Sequence, residues 1–350
     1  MLHAYFTEAL RIFLDDAQDC YAEERFYMVA HYAVRLRFAG SALVDVLSPA
    51  LEHLRTEPVP APALTVCIWD GASTKRNIPP FPWKDNASIT HIIEGTNPAI
   101  CFKDDRFLGA YYIGTKMFSM LDTQQNTAIF WVPDADKIPY YERSSPIRFI
   151  FQWWAKKRRL QLMHAGAVGI DRTGVLLAGE GGSGKSTTAL ICLNAGLSYV
   201  SDDYCLVEME PDPYVHSIYC SAKMSWNDVR RFPYFTPAVE CSGNNHEDKA
   251  LLLLNKQYPQ KIVRGFPIRA ILVPRIVGSA KTTVTPISAR QGLMALAPST
   301  IFQLRGADQG DLSFIAELTR IIPSFLLELG TDYNSIPEIV SDVLKRLNDN

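Results

Sequence analysis

An apolar run, a glycine-rich loop and a helix follow one another near the centre of the chain, and this succession constrains the fold more than any other feature. The run Val175–Ala178 is typical of a buried strand. It leads directly into Gly179–Ser186, which fits the pattern G-x-x-x-x-G-K-[S/T] at every fixed position. The segment Lys185–Ala195 then predicts a helix that closes at Gly196. A strand that passes into a helix through such a loop indicates an α/β fold.

Loops of this kind bind phosphate groups. Glycines let successive backbone N–H groups converge on an anion, and the N-terminal end of the helix adds its positive dipole. In this pattern the lysine, Lys185, reaches the β- and γ-phosphates, and the hydroxyl of Ser186 ligates Mg²⁺. We therefore expect ATP and Mg²⁺ as cofactors, the alternative being a glycine-rich turn without a nucleotide. The predicted nucleotide-binding residues are Gly179, Glu180, Gly181, Gly182, Ser183, Gly184, Lys185, Ser186 and Thr187.

Two adjacent carboxylates follow the next predicted strand. Leu197–Ser201 is largely apolar and ends at Asp202 and Asp203. A strand–helix–strand crossover of this length is almost always right-handed and joins parallel strands, and ligands bind at the carboxyl ends of such strands. Both carboxylates are therefore expected beside the phosphate loop. One can hold Mg²⁺ and the other can accept the proton of an attacking hydroxyl; the alternative is an ordinary polar strand end.

A histidine is expected at the same edge of the sheet. Met163–Ile170 has the pattern of a strand, and a tight turn at residues 171–174 leads back to the strand before the loop. If these two strands pair as a hairpin, the numbers of paired residues add to about 345, and His164 falls opposite residue 181. The hairpin thus predicts a functional histidine at the phosphate loop, although a lone histidine is more often structural.

Together these residues resemble a known family. The stretches 164–166, 174–179, 182–186 and 200–203 are similar to the catalytic domain of HPr kinase/phosphorylase, in which a histidine, a hairpin, a phosphate loop and a double aspartate follow in this order. The whole chain looks most similar to the HPr-kinase-like proteins found with peptide natural-product gene sets, including lasso-peptide precursor kinases. The resemblance implies a serine on a precursor peptide as the substrate.

The resemblance also implies a role for each matching residue. Lys185 and Ser186 would serve the nucleotide and the metal, Asp202 would be the catalytic base, and Asp203 would assist at the metal. His164 would support the site. By this resemblance Asp202, His164 and Lys185 form the catalytic set, and Ser186 and Asp203 are the metal ligands.

Two features depart from the family pattern. Thr187 stands where the bifunctional enzymes usually carry glutamate, and their glycine-rich signature has no clear counterpart after the aspartates. Lys223 lies in roughly that region and could contact phosphate. These departures weaken the expectation of the reverse, phosphorylase reaction more than the expectation of a kinase.

The chain divides by pattern near residue 145. The expected fold class is α/β, with an HPr-kinase-like phosphate-loop domain over residues 146–350 behind an α+β N-terminal domain over residues 1–145. The helix predicted over Ile147–Arg159 opens the second domain, because serine and then proline precede it. The first domain holds no catalytic constellation. Its aromatic, proline-rich segment Pro79–Trp83 suggests that it positions the substrate or an oligomer; packing within its own domain is the alternative.

Composition excludes several classes of function. Lys plus Arg number 35 and Asp plus Glu number 37, so the net charge of −2 gives no global attraction to nucleic acid or to an anionic membrane. No apolar run approaches the roughly 18 residues that span a bilayer, and the first residues do not predict a secretion signal. The 7 cysteines are scattered and lack the spacing of metal ligands, which is typical of a reduced, cytoplasmic protein.

The sequence therefore predicts a cytoplasmic, ATP-dependent serine kinase that acts on a peptide or protein, without a nucleic-acid or membrane partner. It leaves a homo-oligomer open. Two alternatives remain: a kinase for a small hydroxyl metabolite, and a nucleotide-sensing module whose slow ATPase activity regulates a partner. Asp202 separates the second alternative from the kinases, because a sensor needs a metal ligand but no base for a foreign hydroxyl.

Overall fold

The structure, a computed structural model, describes residues 1–19, 22–80, 90–93, 98–240, 249–304 and 309–349. Residues 81–83 of the predicted aromatic segment lie outside these ranges. The chain divides into two compact units, Met1–Arg158 and Arg159–Asn350. Each unit combines helices with a large sheet, so the fold is mixed α/β. Among the described residues, no helix combines the length and the apolar character that crossing a membrane requires.

In its described residues, the first unit is built around one sheet of nine strands. Its strands are β1 (Ala22–Val29), β2 (Tyr32–Ala39), β3 (Arg55–Thr56), β4 (Leu64–Asp70), β5 (Thr90–Ile93), β6 (Ala99–Lys103), β7 (Phe107–Tyr112), β8 (Phe118–Asp122) and β9 (Thr127–Val132). Its helices are α1 (Leu2–Asp19), α2 (Val44–Leu47), α3 (Gly71–Thr74), α4 (Tyr140–Ser144) and α5 (Arg148–Lys156), with 3-10 turns at Pro49–Leu54 and Ala135–Lys137. The strand order is β3-β1-β2-β4-β9-β8-β7-β6-β5. Strand β4 pairs in parallel with both β2 and β9, and the other described pairs are antiparallel.

Helix α1 covers part of this sheet. Its apolar residues Leu2, Phe6, Ala9 and Phe13 recur at helical spacing and are buried. The ring of Phe13 lies 5.8 Å from that of Trp69 in β4, between ring centroids. This stripe therefore closes the aromatic core of the first unit.

Helix α5 belongs to the first unit. The indole N–H of Trp154 donates a hydrogen bond of 3.1 Å to the backbone carbonyl of Ala63. The sequence places this helix at the start of a second domain, after residue 145, whereas the division between the units falls after Arg158. The difference has a simple cause: serine and proline mark where a helix begins, but they carry no information about which sheet its apolar face will cover.

The part of the second unit that the structure describes also has a sheet of nine strands, and a separate one of two. Its strands are β10 (Leu160–Met163), β11 (Gly166–Ile170), β12 (Thr173–Leu177), β13 (Ser198–Ser201), β14 (Cys205–Glu208), β15 (Tyr214–Ser217), β16 (Ser221–Ser225), β17 (Lys249–Leu253), β18 (Gly265–Ile276), β19 (Thr283–Ile287) and β20 (Ser324–Leu329). Its helices are α6 (Lys185–Asn194), α7 (Trp226–Arg231), α8 (Ala289–Gln303), α9 (Gln309–Ile321) and α10 (Ser335–Asn348), with 3-10 turns at Pro233–Ala238 and Leu254–Lys256. The larger sheet has the order β10-β14-β15-β18-β12-β11-β13, β20 pairs with β18, and β19 pairs with β20. Strands β16 and β17 form the small sheet.

Helices cover both faces of the larger sheet because the side chains of its central strands alternate between two apolar clusters. In β12, Val175 and Leu177 are buried in the cluster that contains residues of α6 and α10. Leu176 points the other way, into the cluster that contains residues of α8 and α9. Apolar residues at every position are typical of a strand that is buried on both faces.

Three strands of this sheet, β11, β12 and β13, each have one end at the same edge. Strand β11 lies between β12 and β13 and is antiparallel to both, so β12 and β13 run in the same direction without being neighbours. Gly166 pairs with Leu177, and Ala167 pairs with Ser201. The carboxyl ends of β12 and β13 therefore meet the start of β11, and the candidate site is built at this edge.

Candidate active site

The glycine-rich loop connects the end of β12 to the start of α6. Gly184 is the residue before the helix and has a φ of +103°, which lies in the left-handed region that favours glycine. A Cβ atom at Gly184 would also come within 2.4 Å of the Cδ1 atom of Leu329. Gly179 has a φ of +147°, and a Cβ atom there would lie 2.8 Å from the Ser183 hydroxyl. The loop therefore needs glycine at both positions to keep its backbone compact around the end of the strand.

The side chain of Lys185 folds back over this loop. Its ammonium group donates hydrogen bonds of 2.7 Å to the carbonyl of Gly179 and 3.0 Å to that of Glu180. Burial lowers the pKa of Lys185, although the negative charges of Asp203 and Asp202 act in the opposite direction. The ammonium group is thus held at the mouth of the loop, where an anion would meet it.

Asp202 is buried directly after β13 and is held by hydroxyl groups. The Tyr199 hydroxyl donates a hydrogen bond of 3.0 Å to its Oδ1 atom, and the Ser186 side chain also hydrogen-bonds the carboxylate. Burial, and then the neighbouring charge of Asp203, raises the pKa of Asp202 to about 6. A carboxylate with raised proton affinity is suited to take a proton at neutral pH.

Asp203 occupies a different electrostatic environment from its neighbour. Its Oδ1 atom lies 2.8 Å from the Nε2 atom of His164, and its Oδ2 atom forms an ion pair with the ammonium group of Lys223. Burial alone would raise the pKa of Asp203, but Lys223 and His164 outweigh it and hold the pKa well below its usual range. Asp203 therefore stays ionised, while Asp202 is the better proton acceptor.

His164 reaches the site from the link between β10 and β11. The hairpin that predicts its position forms, but Gly166 pairs with Leu177, so its register differs by two residues from the prediction. Continued to His164, this register would reach residue 179, not residue 181. The Nδ1 atom of His164 is buried and has no hydrogen-bond partner among the described residues. The ring is thus anchored through Nε2 to the Asp203 carboxylate.

Lys223 comes from the small sheet, not from the strands that carry the loop. It lies in β16, and its backbone N–H is 3.5 Å from the Oδ2 atom of Asp202. Burial would lower the pKa of Lys223, but the carboxylate of Asp203 outweighs it and raises the pKa. Lys223 is therefore a partly buried cation in contact with the aspartate pair.

A cavity of about 500 Å³ opens in front of the loop. This volume is in the range typical of small-molecule sites. Its charged lining includes the cations Lys185, Lys223, Lys249 and Arg231 and the carboxylates of Asp203 and Asp228. The apolar part of the lining is formed by Ile276, Leu329, Tyr333 and Ile336, of which Leu329 lies against Gly184 of the loop. A lining that combines an excess of cations with apolar side chains suits a molecule with both a polyanionic and a flat apolar part.

The fold brings the predicted site residues together. His164, Lys185, Ser186, Asp202 and Asp203 surround one edge of the sheet, as the contacts above establish. Of the loop, the cavity lining includes Gly181, Gly182, Gly184 and Thr187. The Ser183 hydroxyl is buried and has no hydrogen-bond partner within the described part of the chain.

Sequence reasoning missed Tyr199, Arg231 and Tyr333. Tyr199 stands in an apolar strand, and a buried tyrosine needs a partner for its hydroxyl, which is the one signal that could have found it. Arg231 ends helix α7, and its guanidinium donates a hydrogen bond of 2.7 Å to the Tyr333 hydroxyl. About 100 residues separate these two in the chain, so no local pattern connects them.

No protein-family model matches the chain, and no curated protein matches it. Among solved structures, the Hpr(Ser) kinase/phosphatase from Coxiella burnetii is similar over 54% of this chain and 96% of its own, with 14% sequence identity and a TM-score of 0.30. That score does not establish a common fold.

Proposed function

We propose that the chain is an ATP-dependent kinase that transfers the γ-phosphate of ATP to a serine hydroxyl of a peptide or protein, such as a natural-product precursor peptide. One observation carries the proposal: a loop of the pattern G-x-x-x-x-G-K-S lies at the same sheet edge as the buried Asp202 and the partly buried Asp203, which differ in proton affinity. The loop accounts for the phosphate donor, and the aspartates account for activation of an acceptor.

The residues at the loop fit a nucleotide and its metal. A Cβ atom at Gly181 or Gly182 would meet no other atom within 4 Å, so the loop backbone is open toward the cavity. Lys185 would bind the phosphate oxygens in place of the loop carbonyls that it now contacts. The hydroxyl of Ser186 and the carboxylate of Asp203 would hold Mg²⁺, which neutralises charge on the phosphates when it is bound.

Asp202 is the base that takes the proton of the acceptor hydroxyl. As the serine oxygen forms its bond to the γ-phosphorus, the bond from phosphorus to the bridging oxygen of ADP breaks, and the serine proton passes to the Asp202 carboxylate. Asp203 remains ionised because His164 hydrogen-bonds its carboxylate and Lys223 compensates its charge. His164 thus supports the arrangement without exchanging the proton itself.

The first unit contributes to substrate choice in this proposal. Its described residues do not line the cavity in front of the loop, so we assign it no part in the chemistry. We propose that it positions the substrate or an oligomer. The resemblance of the stretches 164–166, 174–179, 182–186 and 200–203 to HPr-kinase-like proteins supports a peptide substrate and a cytoplasmic setting.

The test is phosphate transfer from labelled ATP to peptides encoded next to the gene of this protein, each made with serine and with alanine at the candidate position. We expect label on the serine peptide alone, and no transfer by the Lys185→Ala variant. Label on small hydroxyl metabolites but on no peptide would instead support a metabolite kinase. ATP hydrolysis with no labelled acceptor would support a nucleotide sensor.

A further inference from the structure

Tyr199 is a buried tyrosine whose hydroxyl is hydrogen-bonded to Asp202, the first residue of the aspartate pair. Its side chain is 0% exposed and packs in the apolar cluster that also contains residues of α6. The hydroxyl lies 3.0 Å from the Oδ1 atom of Asp202 and 3.1 Å from the backbone carbonyl of Ser221. Burying a hydroxyl in an apolar core is unfavourable unless it is hydrogen-bonded. A phenylalanine would fill the same space without this requirement.

The backbone of Tyr199 is fixed on both sides. It pairs with Val168 of β11, and on the other side its N–H donates to the carbonyl of Lys261 at 2.8 Å. The N–H of Val263 donates to the Tyr199 carbonyl at 3.0 Å. The hydroxyl therefore projects from a rigid position, and a hydrogen bond from it restricts the rotation of the Asp202 carboxylate.

The second acceptor, the backbone carbonyl of Ser221, belongs to another strand. Ser221 begins β16, the strand that carries Lys223 to the Asp203 carboxylate. One hydroxyl is thus within hydrogen-bond distance of the residue after β13 and of the first residue of β16. Because the hydroxyl has one proton, it donates to one of these two oxygens at a time, and it lies between the segment that carries the aspartates and the segment that carries Lys223.

We propose that Tyr199 is a positioning residue that orients Asp202 toward the acceptor hydroxyl. This inference rests on the proposed function, because it assigns Tyr199 a part in the same transfer. With Oδ1 held by Tyr199, the Oδ2 atom keeps lone pairs for the acceptor, since a carboxylate has about four acceptor positions. Without the hydroxyl the carboxylate loses one of the side-chain hydrogen bonds that hold it, and fewer encounters place it correctly for proton transfer.

The test combines Tyr199→Phe with Asp202→Asn in a double-mutant cycle. Tyr258→Phe is the matched control, because it also removes a tyrosine hydroxyl hydrogen bond, to Asn194, in the same unit. Each protein is assayed for kcat, for the KM and Kd of Mg·ATP, and for Tm. We expect Tyr199→Phe to lower kcat about tenfold, which corresponds to the loss of one hydrogen bond to a charged group, with KM and Kd within about twofold of the parent.

In the Asp202→Asn background we expect Tyr199→Phe to change the residual rate less than about twofold, since a residue that acts through Asp202 loses its effect with it. Tyr258→Phe should leave kcat unchanged. An equal loss of rate in both backgrounds would overturn the inference. An unchanged kcat would also overturn it, and so would a fall in ATP affinity and Tm that parallels the fall in kcat. A parent protein that binds Mg·ATP but transfers phosphate to no acceptor would overturn the proposed function and this inference together.

Discussion

Each of the two units buries a carboxylate with raised proton affinity, yet only one of the two carboxylates lies in a candidate site. In the first unit, burial raises the pKa of Glu142 to about 7, and its Oε1 atom accepts a hydrogen bond of 2.8 Å from the backbone N–H of Ile147. In the second unit, Asp202 has a pKa of about 6 and lies beside a second carboxylate, a lysine and a phosphate-loop serine. Asp202 does not itself line the cavity, but its neighbours Ser186, Asp203 and Lys223 do. The surrounding chemistry, and not the pKa alone, therefore marks the functional carboxylate.

The largest effect is expected from substitution of Asp202, the carboxylate to which this comparison assigns the chemistry. Asp202→Asn keeps the shape of the side chain and removes the proton acceptor, and a positioned base contributes about 10²–10⁴-fold to the rate. Phosphate transfer should fall by that factor, while the Kd of Mg·ATP stays within about twofold. A labelled-phosphate assay measures the transfer, and calorimetry measures the Kd of Mg·ATP. If Asp203→Asn abolishes transfer and Asp202→Asn does not, the roles of the two aspartates are reversed.

Loss of the loop cation should have the next largest effect. Lys185→Ala removes the ammonium group that would face the phosphates, and removing one such stabilising group costs about 10²–10³-fold in kcat. Transfer should fall accordingly without a change in the circular dichroism spectrum. Lys256→Ala, at an exposed position of the same unit, is the control and should keep the parent rate. Equal turnover in the Lys185→Ala variant would contradict a phosphate-binding role for the loop.

Glu142, the buried carboxylate of the first unit, is expected to affect stability and not phosphate transfer. Because its pKa is about 7 in the folded chain and 4.5 in the reference state, the unfolded chain loses this proton first as the pH rises. The free energy of unfolding should therefore fall between pH 4.5 and pH 7, by about 3 kcal/mol in all, and then become constant. Glu142→Gln should remove this slope and leave phosphate transfer unchanged.

Denaturant titrations at a series of pH values, followed by tryptophan fluorescence, measure the Glu142 effect. The signal reports mainly on the first unit, because five of the 6 tryptophans, all except Trp226, precede residue 159. Glu57→Gln, at an exposed position of the same unit, should keep the slope of the parent. A slope that persists in Glu142→Gln would assign the pH dependence to another group.

Local patterns in the sequence predict much of the site. The helix predicted over Lys185–Ala195 is observed as Lys185–Asn194. The crossover rule brings Asp202 and Asp203 to the loop, and the hairpin brings His164 there with a register error of two residues. These features depend on residues within about 40 positions of one another, so turn chemistry and strand direction are enough to relate them.

Long-range pairing determines what the sequence does not predict. Strand β18 begins at Gly265, pairs with β15, β12 and β20, and so sets the order of the sheet. Lys223 reaches Asp203 because β16 pairs with β17. Helix α5 packs on the first unit although its start resembles the opening of a new domain. No local pattern specifies such pairings, because their partners lie far apart in the chain.

The smallest effect is expected from a matched pair of core substitutions that tests whether each unit has its own core. Ile129 in β9 and Ile271 in β18 are both 0% exposed, and Ile→Val at such a position costs about 0.5–1.5 kcal/mol. Neither side chain lines the cavity, so the Kd of Mg·ATP should stay within about twofold in both variants. We expect Ile129→Val to shift the fluorescence transition of the first unit, and Ile271→Val to shift the transition that Mg·ATP stabilises. If Ile129→Val lowered the stability of the ATP-responsive transition as much as Ile271→Val does, the two units would unfold as one cooperative body.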